Sequence, residues 1–259
     1  MGWACPILIA DDSQVAYKTR IEAEFDDLVT DHICLPFNVG LSAGRNALLD
    51  RVETSYFVLC DDDFIFDKRA NLAFMRHILA TTDVELLGGL FLNRAVRVHG
   101  EAACLFLGRF LRRRQFSAFW FALLKREKIR RFQGNYEVTD GTLYTKPITY
   151  TPPFTRCDYV HNFFMAETAA LRTRGIRWND GLKVYEHEAF FFEAKQKGLD
   201  VATTEEVGIV HQPIFSENYN KYRYPRGYRD YGDEFRQFFL QKHGLTRLVD
   251  EMLGIEVVL

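Results

Sequence analysis

A chain of 259 residues with 47% apolar side chains is large enough to bury a sizeable core and too apolar to stay disordered. Its net charge of −2 excludes the bulk basicity that drives nucleic-acid binding. The charge is uneven: Arg109–Arg131 holds seven Arg and two Lys against one Glu, which leaves an acidic remainder.

In chain order, "CPILIA" reads as a buried strand closed by Asp11 and Asp12, with Ser13 placed to cap a following helix. "HICLPF" is a short second strand, "SAGRNALLDRV" carries apolar residues at helical spacing, and "YFVLC" is the strongest strand. "ANLAFMRHILA" predicts a helix, and "VELLGGLFL" a strand broken by glycines. Strand–helix alternation of this kind predicts an α/β domain with a mostly parallel sheet. Arg109–Arg131 then reads as one or two amphipathic helices, and "YEVTDGTLYT" as a hairpin turning at Asp140-Gly141. "YVHNFFMA" is a strand, "HEAFFFEAKQKG" a helix ending at Gly198, and "VATTEEVGIVHQP" a last strand with His211 at its end. An aromatic, basic segment, "NYNKYRYPRGY", precedes a helix through "EFRQFFLQKHGL". No repeat or linker divides the chain, so one domain over 1–259 is expected. Its parts are a half over 1–100, a basic and aromatic insertion with the hairpin over 101–157, and a second half over 158–259.

Several classes are excluded. The five cysteines (Cys5, Cys34, Cys60, Cys104 and Cys157) contain no CxxC pair, which speaks against a zinc site; buried free thiols are expected, with one disulfide left open. The start "MGWACPILIADDSQ" is not a signal peptide, and no segment reaches the roughly 18–20 apolar residues of a membrane span. No Asn-x-Ser/Thr glycosylation site occurs.

The chemistry is expected at the C-terminal ends of the strands, where open parallel sheets bind ligands. Asp11-Asp12 follows the first strand, Asp61-Asp62-Asp63 follows "YFVLC", and His211 ends another. Clustered anions call for a cation or shared protons. Oxygen ligands suit Mg²⁺ or Mn²⁺, and an added imidazole tilts the choice to Mn²⁺. An Asp run is also an ordinary turn or cap, and a lone His an ordinary structural residue; their shared placement at strand ends favours the ligand reading. In "NVGLSAGRNALLD", Gly40 and Gly44 allow close backbone approach, and Arg45 can fork onto an anion. Glu186 and Glu188 in "VYEHEAFFFEA" are paired carboxylates, suited to accept a hydroxyl proton or simply to complement a helix dipole.

Taken together, "ILIADDS", "AGRNALLDRVETSYFVLCDDDFIF", "LLGG", "VHNFFMAET", "HEAFFFE", "VGIVH" and "NKYRYP" resemble, in the same order, the inverting glycosyltransferases of the GT-A fold. The likeness is greatest to the β-1,4-N-acetylgalactosaminyltransferases. It implies a mostly parallel sheet flanked by helices, a UDP-sugar donor and a glycan or glycolipid acceptor. It implies that Asp11 or Asp12 holds the uracil with Arg45 beside it, and that Asp61 and Asp63 form a DxD-type motif reaching the ribose and the metal, with Asp62 beside them on the donor. Asp61, Asp63 and His211 would ligate Mn²⁺ or Mg²⁺. Glu188 would be the general base with Glu186 in reserve, Asn162 would face donor sugar or acceptor, and Lys221 and Arg223 would close over the diphosphate.

Two departures from the family are expected. A first strand and helix normally precede "IADDS", and only six residues precede "ILIADDS" here. The chain would then be a fragment, or the segment "GIEVVL" (Gly254–Leu259) would fill the gap, or the protein would be a degenerate relative. The basic stretch Arg109–Arg131 is the second departure, either an acceptor-side insertion or a peripheral membrane contact. A non-catalytic glycan- or partner-binding module is the alternative to an enzyme. The compartment stays open: a Golgi lumen for a piece of a larger eukaryotic enzyme, otherwise the cytoplasm or an inner-membrane face.

Overall fold

The computed structural model describes residues 5–13, 24–25, 27–93, 128–130, 132–183, 185–212, 236–251 and 254–258. Three sheets are present among them. Strands β1 (Leu8–Asp11) and β2 (Asp31–Cys34) pair in parallel as a two-stranded sheet. The second sheet has seven strands. Its path runs β3 (Tyr56–Leu59), β10 (Phe164–Glu167), β5 (Leu86–Asn93), β11 (Val201–His211) and β4 (Phe64–Ile65). Beside this path, β6 (Lys128–Arg130) pairs with β5, and β9 (Thr155–Arg156) with β11. The third sheet runs β13 (Ile255–Val258), β12 (Arg247–Asp250), β8 (Thr142–Pro147) and β7 (Gly134–Thr139).

The α/β class is as the alternation predicted. The seven-stranded sheet is mixed, however. Strands β5 and β11 run parallel, while β10 runs antiparallel to both of its neighbours, β3 and β5. The long connection before β10 can return in either direction, and a period-two pattern carries no direction.

The glycines of β5 do not break it. A Cβ at Gly88 would stand 2.5 Å from the Val160 Cβ, and one at Gly89 2.5 Å from the Phe163 ring. Removing two side chains lets the fully buried Val160 and Phe163 lie directly on the strand. Residues 160–163 are thereby pressed onto the sheet, and Asn162 sits in this segment, ahead of β10 rather than within it.

Helix α1 (Leu41–Arg51) buries Ser42, Arg45, Asn46 and Leu49, one face at helical spacing that is almost wholly polar. Helix α2 (Leu72–Thr81) is capped by Asn71, whose side chain accepts from the Phe74 N–H, and buries Met75, Ile78 and Leu79. A short α3 (Thr168–Thr173) leads on from β10. Helix α4 (Glu186–Gln196) buries Phe190, Phe191 and Phe192 in the larger of two core clusters. Residues 236–242 are helical, and Phe239 packs edge-on against Phe192 at 5.4 Å.

Other expectations change. Residues 255–258 pair with β12 in the third sheet, so this segment does not complete a sheet beside β1. Lys128–Arg130 is strand rather than helix; residues 109–127 and 131 lie outside the described residues. Cys157 is buried and free, but Cys5, Cys34 and Cys60 are exposed free thiols, because each sits at or near a strand end instead of within the core. The hairpin turns at Asp140-Gly141 with φ of 48° and 72°, as that dipeptide predicts. Among the described residues, no helix is long and apolar enough to cross a membrane.

Gly89→Ala is expected to lower stability by about 1–3 kcal/mol, because the new methyl drives Phe163 off its site. Urea unfolding of the variant checks this, and an unchanged midpoint would contradict the close approach.

Candidate functional site

The acidic triplet leaves the end of β3 and turns into β4, so its three carboxyls occupy the tight bend between these strands. Asp61 is held from two sides: its Oδ1 accepts from Arg45 Nη2 at 3.1 Å, and its Oδ2 from Asn162 Nδ2 at 2.9 Å. Arg45 Nη1 donates to Glu186 Oε1 at 3.2 Å. One guanidinium thus joins the triplet to the first turn of α4.

Asp63 faces the end of β11. His211 Nε2 lies 3.0 Å from Asp63 Oδ2, and His211 Nδ1 lies 2.5 Å from Asn93 Oδ1. With an amide oxygen as acceptor, Nδ1 carries the proton. Nε2 is then the ring nitrogen that faces the Asp63 carboxylate. Asp63 Oδ1 is buried and has no hydrogen-bond partner. Both features fit a cation held between Asp63 and His211, with Asn93 orienting the imidazole. The expected trio is not assembled: among the described residues, no three His, Cys, Asp or Glu side chains form a metal-holding group. The reason lies in Asp61, whose two oxygens are engaged by Arg45 and Asn162. Asp62 is exposed; desolvation of its carboxyl, and then the charges of Asp63 and Asp61, raise its pKa.

Asp11 and Asp12 stay at the β1 end, where the chain uses them locally. Asp11 Oδ1 accepts from the Ser13 N–H at 2.9 Å, and its Oδ2 lies 3.3 Å from His32 Nε2. Asp12 Oδ2 accepts from the Gly40 N–H at 2.9 Å, tying β1 to the start of α1. Lys221 and Arg223 lie outside the described residues.

Helix α4 starts from Tyr185, which has a left-handed φ of 62°. An aromatic residue there is strained by roughly 1–3 kcal/mol. Packing on Phe239 at 5.4 Å and the Arg236 guanidinium 5.3 Å above its ring hold it in place. The two acids that follow differ. Glu186 is buried against Arg45, while burial and then the charge of Glu186 push Glu188 up to about 7. Between them, His187 Nε2 donates to the Val160 carbonyl, fastening α4 to the 160–163 segment. Burial and then the Arg45 charge push His187 down to about 3, so its ring is neutral at physiological pH.

Sequence reasoning singled out the triplet, His211, Asn162 and the α4 acids; the structure joins Arg45, Asp61, Asn162 and Glu186 by hydrogen bonds, and brings Asp63, His211 and Asn93 together as a second group. It missed Asn93 and His187. Asn93 carried a usable signal, a polar residue at the C-terminal end of an apolar strand, like the aspartates. His187 carried none.

Comparison with known proteins places the fold. The chain is 25% identical over 227 residues to mouse Beta-1,4 N-acetylgalactosaminyltransferase 2, covering 84% of this chain and 38% of the relative. It is 28% identical over 241 residues to human Beta-1,4 N-acetylgalactosaminyltransferase 1, covering 85% and 38%. The chain thus spans well under half the length of the curated relatives it matches. No family model matches it. Among solved structures, S. aureus TarS in complex with UDP-GlcNAc superposes with a TM-score of 0.57 at 11% identity, covering 90% of this chain and 56% of that one. TarS with UDP gives 0.51 at 14%, covering 92% and 62%. The fold is that of the GT-A-type glycosyltransferases, and the motif likeness to the β-1,4-N-acetylgalactosaminyltransferases is borne out as a likeness in sequence.

His187 protonates in the unfolded chain near its ordinary value of 6.5 but in the folded chain only near 3. Its contribution is therefore fully present above about pH 6.5 and is lost as the pH falls towards 3. His187→Phe is expected to flatten the loss of stability between pH 6.5 and 4, measured by denaturant midpoints; an unchanged slope would contradict it.

Proposed function

We propose that the chain is the catalytic part of an inverting glycosyltransferase that moves a hexosamine from a UDP-sugar to a hydroxyl of a glycan or glycolipid. N-acetylgalactosamine is the sugar that the relatives' names favour. The observation that carries the reading is the hydrogen-bonded group of Asp61, Asn162, Arg45 and Glu186, which ties the end of β3 to the first turn of α4. In that turn burial raises Glu188, the pattern expected of a carboxylate that is to move a proton.

Glu188 is the base. A carboxylate with a pKa of about 7 is half ionised at neutral pH and holds a hydroxyl proton more firmly than an ordinary glutamate. Glu186 is occupied by its hydrogen bond from Arg45, which suits it to tuning Glu188 rather than to replacing it. The acceptor hydroxyl gives its proton to Glu188, and its oxygen bonds to the anomeric carbon. The bond from that carbon to UDP breaks on the opposite face, and its electron pair leaves on the diphosphate. Asp61 and Asn162, already joined, line the donor side, Asp11 and Asp12 the nucleotide side, and Lys221 and Arg223 would approach the diphosphate. Asp63 and His211 would hold Mn²⁺ or Mg²⁺, which supplies charge stabilisation to the leaving diphosphate when bound.

A second reading, a module that binds without catalysis, is favoured by one observation: β1 and β2 pair apart from the seven-stranded sheet. Titrating UDP calorimetrically with and without Mn²⁺, into wild-type and Asp63→Ala protein, separates the two. Metal-dependent binding that is lost in the variant is expected; no binding to folded protein in either condition would sink the transferase reading.

Glu188→Gln is expected to lower kcat by about 10²–10⁴ while leaving UDP affinity unchanged. In the wild type, kcat/KM should rise with pH through about 7 as Glu188 ionises. A rate that is flat between pH 5 and 8 would remove Glu188 from this role.

A further inference from the structure

Arg45 is 4% exposed, and its two terminal nitrogens go to different elements: Nη2 to Asp61 at the end of β3, Nη1 to Glu186 at the start of α4. Its guanidinium carbon stands 5.8 Å from the centre of the Trp178 ring, which stacks on Phe190 of α4 at 4.3 Å. The helix that carries it is itself fixed. Asn46 donates to the Trp178 carbonyl at 2.8 Å and accepts from the Trp178 N–H at 3.0 Å, and Ser42 donates to the Leu182 carbonyl at 2.8 Å. The polar buried face of α1 therefore grips the segment leading into α4, with Arg45 at its centre.

We propose that Arg45 is a positioning residue that sets Asp61 and Glu186 in one register, holding the donor side of the site against the base-bearing turn of α4 without touching substrate. The proposal rests on the transferase reading above. The planar fork of arginine can serve two carboxylates at once in fixed directions, which a lysine ammonium on a flexible stem cannot do. Buried ion pairs contribute little net stability, so a purely structural need would be met as well by apolar packing. Both partners here belong to the connected group at the site. Asp61 has its other oxygen on Asn162, so its carboxylate plane is defined from both sides. Glu186 is fixed in place by Arg45 two residues before Glu188.

The test uses Arg45→Lys, Arg45→Met, Glu186→Gln and the double variant Arg45→Met/Glu186→Gln. Each is measured for urea midpoint, UDP affinity and the separate values of kcat and KM. Arg45→Lys is expected to lower kcat by about 10- to 100-fold while UDP affinity stays within about threefold, the signature of a group that acts on the transition state alone. Arg45→Met should lower the urea midpoint, and adding Glu186→Gln should restore part of it, because the stranded carboxylate is removed. In the double variant kcat should stay low. A tenfold loss of UDP affinity in Arg45→Lys with kcat unchanged would overturn the proposal and make Arg45 a donor contact. A wild-type kcat in Arg45→Lys would overturn it too, as would additive midpoints for positions 45 and 186. Wild-type protein that binds no UDP sinks the transferase reading by itself; the midpoints still report whether the bridge exists.

Discussion

The seating of residues 160–163 against Gly88 and Gly89 is the constraint on which the site depends. Because β5 has no side chains at these positions, Val160 and Phe163 approach its backbone directly. The Gly89 N–H donates to the Phe163 carbonyl at 3.0 Å, and β10 then continues in register with Gly88. That seat fixes Asn162, which reaches Asp61, and the Val160 carbonyl, which receives His187 from α4. Three elements far apart in the chain meet on one stretch of four residues. A bulkier β5 would have moved all of them, and no polar contact in the site would retain its geometry.

The electrostatics follow from that framework. Asp61, Asp62 and Asp63 bring three carboxyls into one bend, and Arg45 pairs with Asp61 and Glu186 alone. Burial, and then the charges of Asp63 and Asp61, raise Asp62, while Asp63 keeps one buried oxygen without a partner and turns the other to His211. Such an arrangement is costly in the empty protein and becomes favourable when positive charge arrives. Neutral His187 separates the two glutamates and adds no charge of its own. Glu188 is raised first by burial and then by Glu186, with Arg236 opposing.

Much of this was legible in the sequence. Strands that end in acids, a histidine that ends a strand, and a hairpin at Asp140-Gly141 each carry a local physical signal, and each was found in place. The fold class followed from alternation. What was not legible was pairing at a distance. The pattern of "YVHNFFMA" marks an apolar strand but gives neither its direction nor its start, which packing against Gly88 and Gly89 decides. Residues Ser42, Arg45 and Asn46 lie on the buried face of α1, where hydropathy assigns solvent. Their burial is repaid by partners at 178–186 that no local window contains. Hence the pairing of Arg45 with Asp61 and Glu186 was not legible in the sequence.

The separate β1–β2 pair has a consequence of its own. A two-stranded ribbon is marginal by itself, and this one is tied to the remainder by Asp12 to Gly40, by Gly44 packed near Ala10, and by the exposed Arg51–Asp31 pair. Among the described residues there are thus two tiers of stability, a deep core and a more lightly moored β1–β2 wall. A ligand that touched both tiers would act as a fastener. Part of its binding energy would go into ordering the wall, so its affinity would report the stiffness of the protein as much as the quality of the contacts.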